Sequence, residues 1–466
     1  MRLLMKFGGT SVGDGERMKH VAEIVSSSHR EGNELAVVVS GMSGVTDQLI
    51  NMATEIASGI KKPTIDPFIA SLWERHSKAL EVAAPDYVTS VSPTLHNRLE
   101  SLKNIFNAVY NLRELTSRSK DYIISFGERL SAPILSAAFR QCGLNTILLD
   151  GCEAGIVTTP NHGDALALPI SEHRIKKKII PLLSSSVPVI MGYMGCTDQG
   201  IVTTLGRSGS DYSATIVGAA IDADEIWIWT DVNGVMTADP RLITNARELP
   251  FISYLEAMEL SFFGAKVLHS RSLEPAMKKD IPIRVKNTFN PSYPGTVVFR
   301  EEKVDQRIVK AITIIEKVAL VNINGVQMIG RPGVAKTIFS ALANRDVNIM
   351  MISQGSSEAN ISLIIEETHL DKALDALSSV LTYGFVREIT SNKDIVAIAV
   401  VGAGMAGSPG IAGRIFTALG KAGINIIMIS QGSSEVNVSF VVKTSDGKRA
   451  VQVLHDEFRL SEVTNA

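Results

Sequence analysis

An α/β fold on a mainly parallel sheet, followed by a duplicated small α+β module, is what the sequence predicts. Three observations predict it. Residues 3–7, apolar but for Lys6, and 35–39 are apolar runs rather than alternating patterns, as expected of strands buried on both faces. Each run ends in a glycine- and hydroxyl-rich turn, and after the first of them Met18, Val21, Ala22 and Val25 recur at helical spacing. Residues 333–363 recur at 410–440 without a gap, with 18 of 31 positions identical. Further strands are expected at 145–149, 187–192, 225–229 and 282–285, with helical patterns between them. Residues 50–120 read mainly as helices. Two prolines and a glycine within 287–295 mark a loop or a domain boundary.

The chain has 466 residues, room for about three domains, with 45% apolar and 20% charged residues. Forty-six basic against 48 acidic side chains give a net charge of −2, without the global basic field of a nucleic-acid binder. The one basic cluster, Arg174 with Lys176, Lys177 and Lys178, fits a solvated helix face. Three cysteines without C-x-x-C spacing argue against a disulfide framework or a thiolate zinc site and fit a reducing cytosol. The nine histidines are scattered, with no pair at metal-ligand spacing. No apolar run reaches the roughly 18 residues of a membrane span, and no signal-peptide core fits before Phe7. A cytoplasmic protein is expected.

Each repeat copy reads strand, glycine loop, helix, strand, turn, strand, helix. A 77-residue offset means two small domains rather than a solenoid, a pair whose equivalent loops face each other; a pure dimerisation module is the alternative. Gly402, Gly404 and Gly407 match G-x-G-x-x-G. The first copy lacks the middle glycine, and no acidic residue ends the next strand, so dinucleotide binding is disfavoured.

Five turns after strands or before helices carry the chemistry. Lys6, Phe7, Gly8 and Gly9 set a lysine beside glycines that let backbone N–H groups approach a phosphate. Ser40 and Thr46 bracket a second small, hydroxyl-rich turn. Glu128 in Ser-Phe-Gly-Glu can serve a ligand ammonium; a surface ion pair with Arg129 is the plain alternative. Arg207, Ser210 and Asp211 lead into a helix of small residues. Ser210 or Asp211 suits an N-cap, and the Arg207 fork suits a carboxylate or phosphate. Thr230 and Asp231 open a turn, followed by Asp239-Pro240-Arg241 and by Lys266 with His269. Cations for a polyphosphate, with a separate acid and arginine for an amino acid's two ends, point to phosphoryl transfer onto a small zwitterion.

In this order, Lys-Phe-Gly-Gly-Thr-Ser, Ser-Phe-Gly-Glu, Gly-Arg-x-Gly-Ser-Asp, Thr-Asp-Val-x-Gly-Val and Ala-Lys-Val-Leu-His resemble the aspartate kinases of the amino-acid kinase family. The repeats resemble their paired ACT domains, and the resemblance covers essentially the whole chain. It implies a three-layer kinase domain at 1–295 and ACT domains at 305–385 and 386–466, the first strand of the former pairing into the latter. Nothing after the repeats corresponds to the homoserine dehydrogenase of bifunctional relatives. The resemblance also implies ATP with Mg²⁺, the metal held mainly by ATP rather than by protein side chains. L-aspartate would be phosphorylated on its β-carboxylate, at the entry to lysine, threonine and methionine synthesis.

By the same resemblance, Lys6 and Asp211 are catalytic. Lys6, Phe7, Gly8, Gly9, Thr230, Asp231, Met236, Arg241 and Lys266 line the nucleotide site. Ser40, Thr46, Glu128, Arg207 and Ser210 bind aspartate, with Glu128 on its ammonium and Arg207 on its α-carboxylate. An end-product effector would lie against Asn348, Ile349 and Gln354 or Asn425, Ile426 and Gln431, threonine favoured over lysine by the Gln-Gly-Ser-Ser-Glu form. Self-association through the ACT domains, as a dimer or dimer of dimers, is expected, with no nucleic-acid or membrane partner. Three positions depart from the family pattern: Ser208 where glycine is common, Met236 where tyrosine is, and Ser270 where proline is. The rivals are another amino-acid kinase, using glutamate or N-acetylglutamate, and a non-catalytic amino-acid sensor.

Overall fold

The structure, a computed structural model, describes residues 1–59, 64–262, 268–300 and 308–462. The chain divides into two units. The first comprises Met1–Val235, Pro250–Tyr254 and Val267–Glu301, and the second Met236–Leu249, Leu255–Lys266 and Glu302–Ala466.

The first unit is organised by an eight-stranded sheet in the order Thr146–Leu149, Val187–Met191, Glu34–Val39, Arg2–Phe7, Glu225–Thr230, Ile283–Asn287, Thr296–Phe299, Phe251–Ser253. All neighbours are parallel except Ile283–Asn287 with Thr296–Phe299. The apolar runs behave as strands covered on both faces: Leu3, Leu4, Met5 and Phe7, with Leu35, Ala36, Val37, Val38 and Val39, are all at most 1% exposed. The helix Gly15–Arg30 follows the first turn, capped by the Asp14 carboxylate on the Arg17 N–H, and buries Met18, Val21, Ala22 and Val25. Residues 287–295 are a hairpin loop within this sheet rather than a domain boundary. The hairpin Met194–Cys196 with Val202–Thr204, and the strand Phe251–Ser253, have only three residues each and carry no readable period.

The helices Val45–Ser58, Ile65–Ala83, Val88–Leu112 and Ser117–Ile124 fill residues 50–120 as expected. His76, fully buried in the second of these, donates from Nδ1 to the Leu72 carbonyl at 2.6 Å, while its Nε2 has no partner. Burial, helped by the Arg75 charge, pushes this imidazole down to about 4 from 6.5. The unfolded chain therefore takes up a proton below pH 6.5 that the folded chain refuses until about pH 4. Stability is full above 6.5 and falls through that window by about 3 kcal/mol. Denaturant titrations at pH 7.5 and 4.5 should show His76→Met losing less stability on acidification than the parent by about that amount. Equal losses would exclude His76 as the cause.

The second unit holds two four-stranded antiparallel sheets, in the orders Met351–Gln354, Asn360–Glu366, Val318–Asn324, Glu388–Asn392 and Ala311–Ile315, Ile395–Val401, Asn437–Lys443, Met428–Ser430. Each carries two helices, Val334–Ala343 with Leu370–Leu381 and Ile411–Lys421 with Gly447–Glu457, over its own apolar core. The strand Ala311–Ile315 pairs into the second sheet. The strand Glu388–Asn392 completes the first sheet, so the pairing passes over the sequence division at 385/386.

Two further segments pack with this unit although they lie between strands of the first. Ala238 and Ile243 join the core of the second module, and Glu256 is fully buried, its carboxylate 3.0 Å from Lys310 Nζ and accepting the Ala403 N–H at 2.7 Å. The first glycine of the G-x-G-x-x-G stretch has a packing cause, since a Cβ on Gly402 would lie 2.3 Å from the Ile308 carbonyl oxygen. Among the described residues no helix is long and apolar enough to cross a membrane.

Candidate functional site

The site is built on the carboxyl edge of the parallel sheet. Register sets Phe7 opposite both Val39 and Trp229, and Val39 opposite Met191, so four strands end together and their following turns share one rim. The turns interlock through backbone: the Gly8 N–H bonds to the Trp229 carbonyl at 3.2 Å, and the Ser43 N–H to that of Gly9 at 3.1 Å. Gly41 sits so close to the next helix that a Cβ there would meet the Gly127 carbonyl carbon at 3.0 Å, a contact side chains rarely make. Lys6 emerges at this rim only 8% exposed, its Nζ 2.5 Å from Asp211. Phe7 turns its ring into the core, stacked on Trp229 at 5.7 Å, which leaves only its backbone for a ligand.

Glu128, in the first turn of the helix Phe126–Gln141, is 3% exposed. Its Oε1 accepts the Gly41 N–H at 2.9 Å and its Oε2 has no partner. Burial pushes its carboxyl up to about 8, against the opposing pull of that N–H and of the Lys6 charge. A buried acid with one unused oxygen stays protonated near neutral pH or ionises against a cationic partner. Ser40 and Thr46 flank it: Ser131 Oγ donates to the Ser40 carbonyl at 2.8 Å, and the Thr46 hydroxyl lies beside Gly127.

The opposite wall is the loop after the strand Val202–Thr204. Ser208 stands at φ 54°, ψ 29°, just before the helix Gly209–Ala220. A side chain in this left-handed conformation costs about 1–2 kcal/mol relative to glycine, which accounts for the family's glycine at this place. Arg207 is exposed, and among the described residues no ion pair engages it. Ser210 and Asp211 are each 8% exposed in the first turn of the helix.

Thus Lys6, Gly8, Gly9, Ser40, Thr46, Glu128, Arg207, Ser210 and Asp211 come together on one rim of one unit. Thr230, at the end of its strand, donates to Asp231 at 3.2 Å there. Met236 and Arg241 belong to the second unit, where the Arg241 fork closes on Asp239 at 2.6–3.1 Å. Lys266 lies outside the described residues. Among the described residues no cluster of three metal-binding side chains occurs. In the second unit, Asn348, Ile349 and Gln354 adjoin the edge strand Met351–Gln354, and Asn425, Ile426 and Gln431 adjoin the edge strand Met428–Ser430. Ser430 Oγ donates to the Ile352 carbonyl at 3.4 Å, so the two edges are neighbours.

Tyr193, near the site, carries little sequence signal beyond following a strand-end glycine. It stands at φ 67°, its carbonyl accepts the Leu205 N–H at 2.9 Å, and its phenol lies in the field of Glu128. His269, singled out in the sequence with Lys266, lies in the fields of Arg207 and Asp211 and caps the helix Ser270–Lys279, which gives Ser270 the first helical position.

A glycine-turned rim with a lysine–aspartate pair and a partnerless carboxylate, at the carboxyl edge of a parallel sheet, is where α/β domains take their ligands. The chain belongs to the amino acid kinase family, which it matches over residues 1–287, with ACT domain matches at 321–381 and 398–458. Its relatives are aspartokinases. It is 32% identical to the chloroplastic aspartokinase 1 of Arabidopsis thaliana over 98% of this chain and 80% of that one. It is 38% identical to the chloroplastic bifunctional aspartokinase/homoserine dehydrogenase 1 of the same plant over 99% of its own length, but spans only 51% of that protein. The chain thus covers about half the length of such bifunctional relatives. Among solved structures it resembles E. coli aspartokinase III in complex with aspartate and ADP, with TM-score 0.82, 26% identity and coverage of 98% of this chain and 99% of that one. It also resembles Clostridium acetobutylicum aspartate kinase, with TM-score 0.77, 30% identity and coverage of 98% and 100%.

Proposed function

We propose that the protein is an aspartate kinase, transferring the γ-phosphoryl group of ATP to the β-carboxylate of L-aspartate to give 4-phospho-L-aspartate and ADP. The observation that carries this is the meeting, on one rim, of the buried Lys6–Asp211 pair with the partnerless Oε2 of Glu128 and the exposed Arg207. Glu128 takes the acceptor's ammonium and Arg207 its α-carboxylate, with Ser40, Thr46 and Ser210 around them. The β-carboxylate is already ionised at pH 7, so no general base is required. Lys6, steered by Asp211, neutralises charge on the transferring group, while the backbone of Phe7, Gly8 and Gly9 and the N-terminus of Gly209–Ala220 face the phosphates. Thr230 and Asp231 add to the nucleotide contacts from the same rim. Mg²⁺, which neutralises polyphosphate charge, would be held mainly by ATP with Asp211 nearby.

Arg207→Lys should raise the KM for aspartate about tenfold or more with a smaller change in kcat, because an ammonium cannot reproduce a bidentate fork. Steady-state kinetics would show it, and an unchanged KM counts against the role. ADP release with aspartate and glutamate side by side tests the whole reading; equal or exclusive turnover of glutamate would refute it.

Regulation belongs to the same proposal. An amino-acid effector binds at the neighbouring edge strands through Asn348, Ile349, Gln354, Asn425, Ile426 and Gln431, and the chain self-associates there, where Ile352 and Ile429 are each more than 40% exposed. Threonine is the effector we favour over the lysine present in a complex of E. coli aspartokinase III. Inhibition of turnover by each amino acid in turn decides between them. We place the enzyme in the cytoplasm, its three cysteines being free thiols; the plant relatives above are chloroplastic by name.

A further inference from the structure

We propose that Asp121 is a positioning residue for the acceptor site, holding from beneath the loop that presents Arg207. This rests on the reading of Arg207 as the group that grips the acceptor's carboxylate.

Asp121 lies in the helix Ser117–Ile124, seven residues before Glu128, and is 1% exposed. Its carboxylate gathers donors from two different loops. Oδ2 accepts from His162 Nδ1 at 2.7 Å, from the Gly163 N–H at 3.1 Å and from the Thr204 N–H at 3.1 Å, while Oδ1 accepts from the Thr204 hydroxyl. A carboxylate taken fully out of water persists only when so satisfied, and removing it strands every one of those donors.

Thr204 is the last residue before the Arg207 turn, and each later step of that turn is tied to the same cluster. The Leu205 N–H bonds to the Tyr193 carbonyl at 2.9 Å. Gly206 stands at φ 76° with no room for a side chain, since a Cβ would meet Asp164 Oδ1 at 2.6 Å. Asp164 is in turn held by Arg271, and the Ala165 N–H bonds to the Thr204 carbonyl at 3.0 Å. The Tyr193 N–H bonds in turn to Ser213 Oγ at 3.0 Å, and its phenol lies in the field of Glu128. The Asp121 carboxylate is therefore the common acceptor of the loop at 162–163 and of Thr204 at the base of the Arg207 turn.

Arg207 itself is exposed, so its fork is aimed only by the backbone that carries it. A long side chain on a loosened base loses both orientation and rotamer entropy on binding. A shift of about 1 Å in such a group can cost about 10²-fold. The loss should fall on aspartate binding, since Lys6, Gly8 and Gly9 stand on other turns.

The test is steady-state kinetics of the full-length chain carrying Asp121→Asn, with ATP and aspartate varied separately. The amide keeps the shape but removes the charge, and its NH2 must face either the three N–H donors or the Thr204 hydroxyl, so the charge-assisted bonds that hold both loops are weakened. The KM for aspartate should rise about 10- to 100-fold while the KM for ATP and kcat stay near the parent's. Thr204→Val keeps the backbone bond and removes the hydroxyl, so it reads the same link should Asp121→Asn fold poorly, and Thr204→Ser should restore it. In an Arg207→Lys background the effect of Asp121→Asn on that KM should largely vanish, because both changes act through one fork. An unchanged aspartate KM in Thr204→Val and in folded Asp121→Asn overturns the proposal, as does a full effect in the Arg207→Lys background or a parallel loss in kcat and both KM values. A parent that turns over no aspartate overturns the kinase reading itself, and the positioning role with it.

Discussion

Lys6→Ala should lower kcat by about 10²–10³-fold, the usual consequence of removing one preorganised group that meets charge developing in a transition state. The KM for aspartate should barely move, because the proposed reading gives the acceptor to Glu128 and Arg207 and not to Lys6. Lys6 is 8% exposed and 2.5 Å from Asp211, so its charge acts in a poorly screened place and its position is fixed before substrate arrives. Single-turnover and steady-state measurements on the purified variant check this. Near-normal kcat would remove Lys6 from the chemistry, and a large rise in aspartate KM alone would reassign it to binding. Alanine also leaves Asp211 without its cation, so Lys6→Met and Lys6→Arg should be compared: retained folding with lost turnover in both separates charge placement from stability.

Glu128 gives the second large effect, and its sign can be worked out. Its carboxyl is pushed up to about 8 by burial, so near pH 7 the empty site holds a largely protonated acid. An ammonium ligand needs the ionised form, so aspartate binding at pH 7 should release close to one proton. Calorimetry in buffers of different ionisation enthalpy reads that number directly. The apparent affinity should weaken about tenfold per pH unit below 8. Stability has the opposite dependence. Because the folded value lies above the unfolded one of 4.5, the folded chain binds the extra proton, and the contribution of Glu128 to stability, opposite in sign to that of His76, is full below pH 4.5 and declines until about pH 8. Glu128→Gln should therefore raise the thermal midpoint at pH 8, leave it unchanged near pH 4.5, and raise the KM for aspartate about 10²-fold or more, a charge-assisted bond being lost in a buried site. No proton release, or a midpoint unmoved at pH 8, would contradict this account.

Much of the fold is legible because burial on both faces leaves a local trace. A strand such as Glu34–Val39, covered above and below, is apolar without a break from Leu35 onward, and a helix such as Gly15–Arg30 must repeat its apolar residues at 3.6. The duplicated modules announce themselves by identity. The strand exchange has no local pattern: the pairing of Ala311–Ile315 into the second sheet was expected only from the family resemblance, and that of Glu388–Asn392 into the first sheet was not expected, since edge pairing between sheets decides both. The segments at 236–249 and 255–262, whose buried Glu256 and Ala238 serve the second unit, are equally silent in one dimension.

In the site, turn glycines and charged residues were visible one by one. Lys6 stood out as a charge beside glycines at a strand end and Arg207 as a charge just before a helix, whereas Glu128 and Asp211 each had a plain alternative, in a surface ion pair and an N-cap respectively, and gained their roles from the resemblance. Asp121 and Tyr193 did not stand out, since an aspartate in a polar helix turn and a tyrosine after a strand look ordinary until neighbours distant in sequence surround them. The sequence by itself determined which elements form and which groups are available for phosphate, ammonium and carboxylate, because those follow from local period, turn chemistry and charge. Only the tertiary structure decided that Lys6 meets Asp211 across 205 residues, that one oxygen of Glu128 is left without a partner, and that a buried Asp121 joins two loops. The strength of each of these depends on burial and on distances of about 3 Å, which are properties of packing and not of order along a chain.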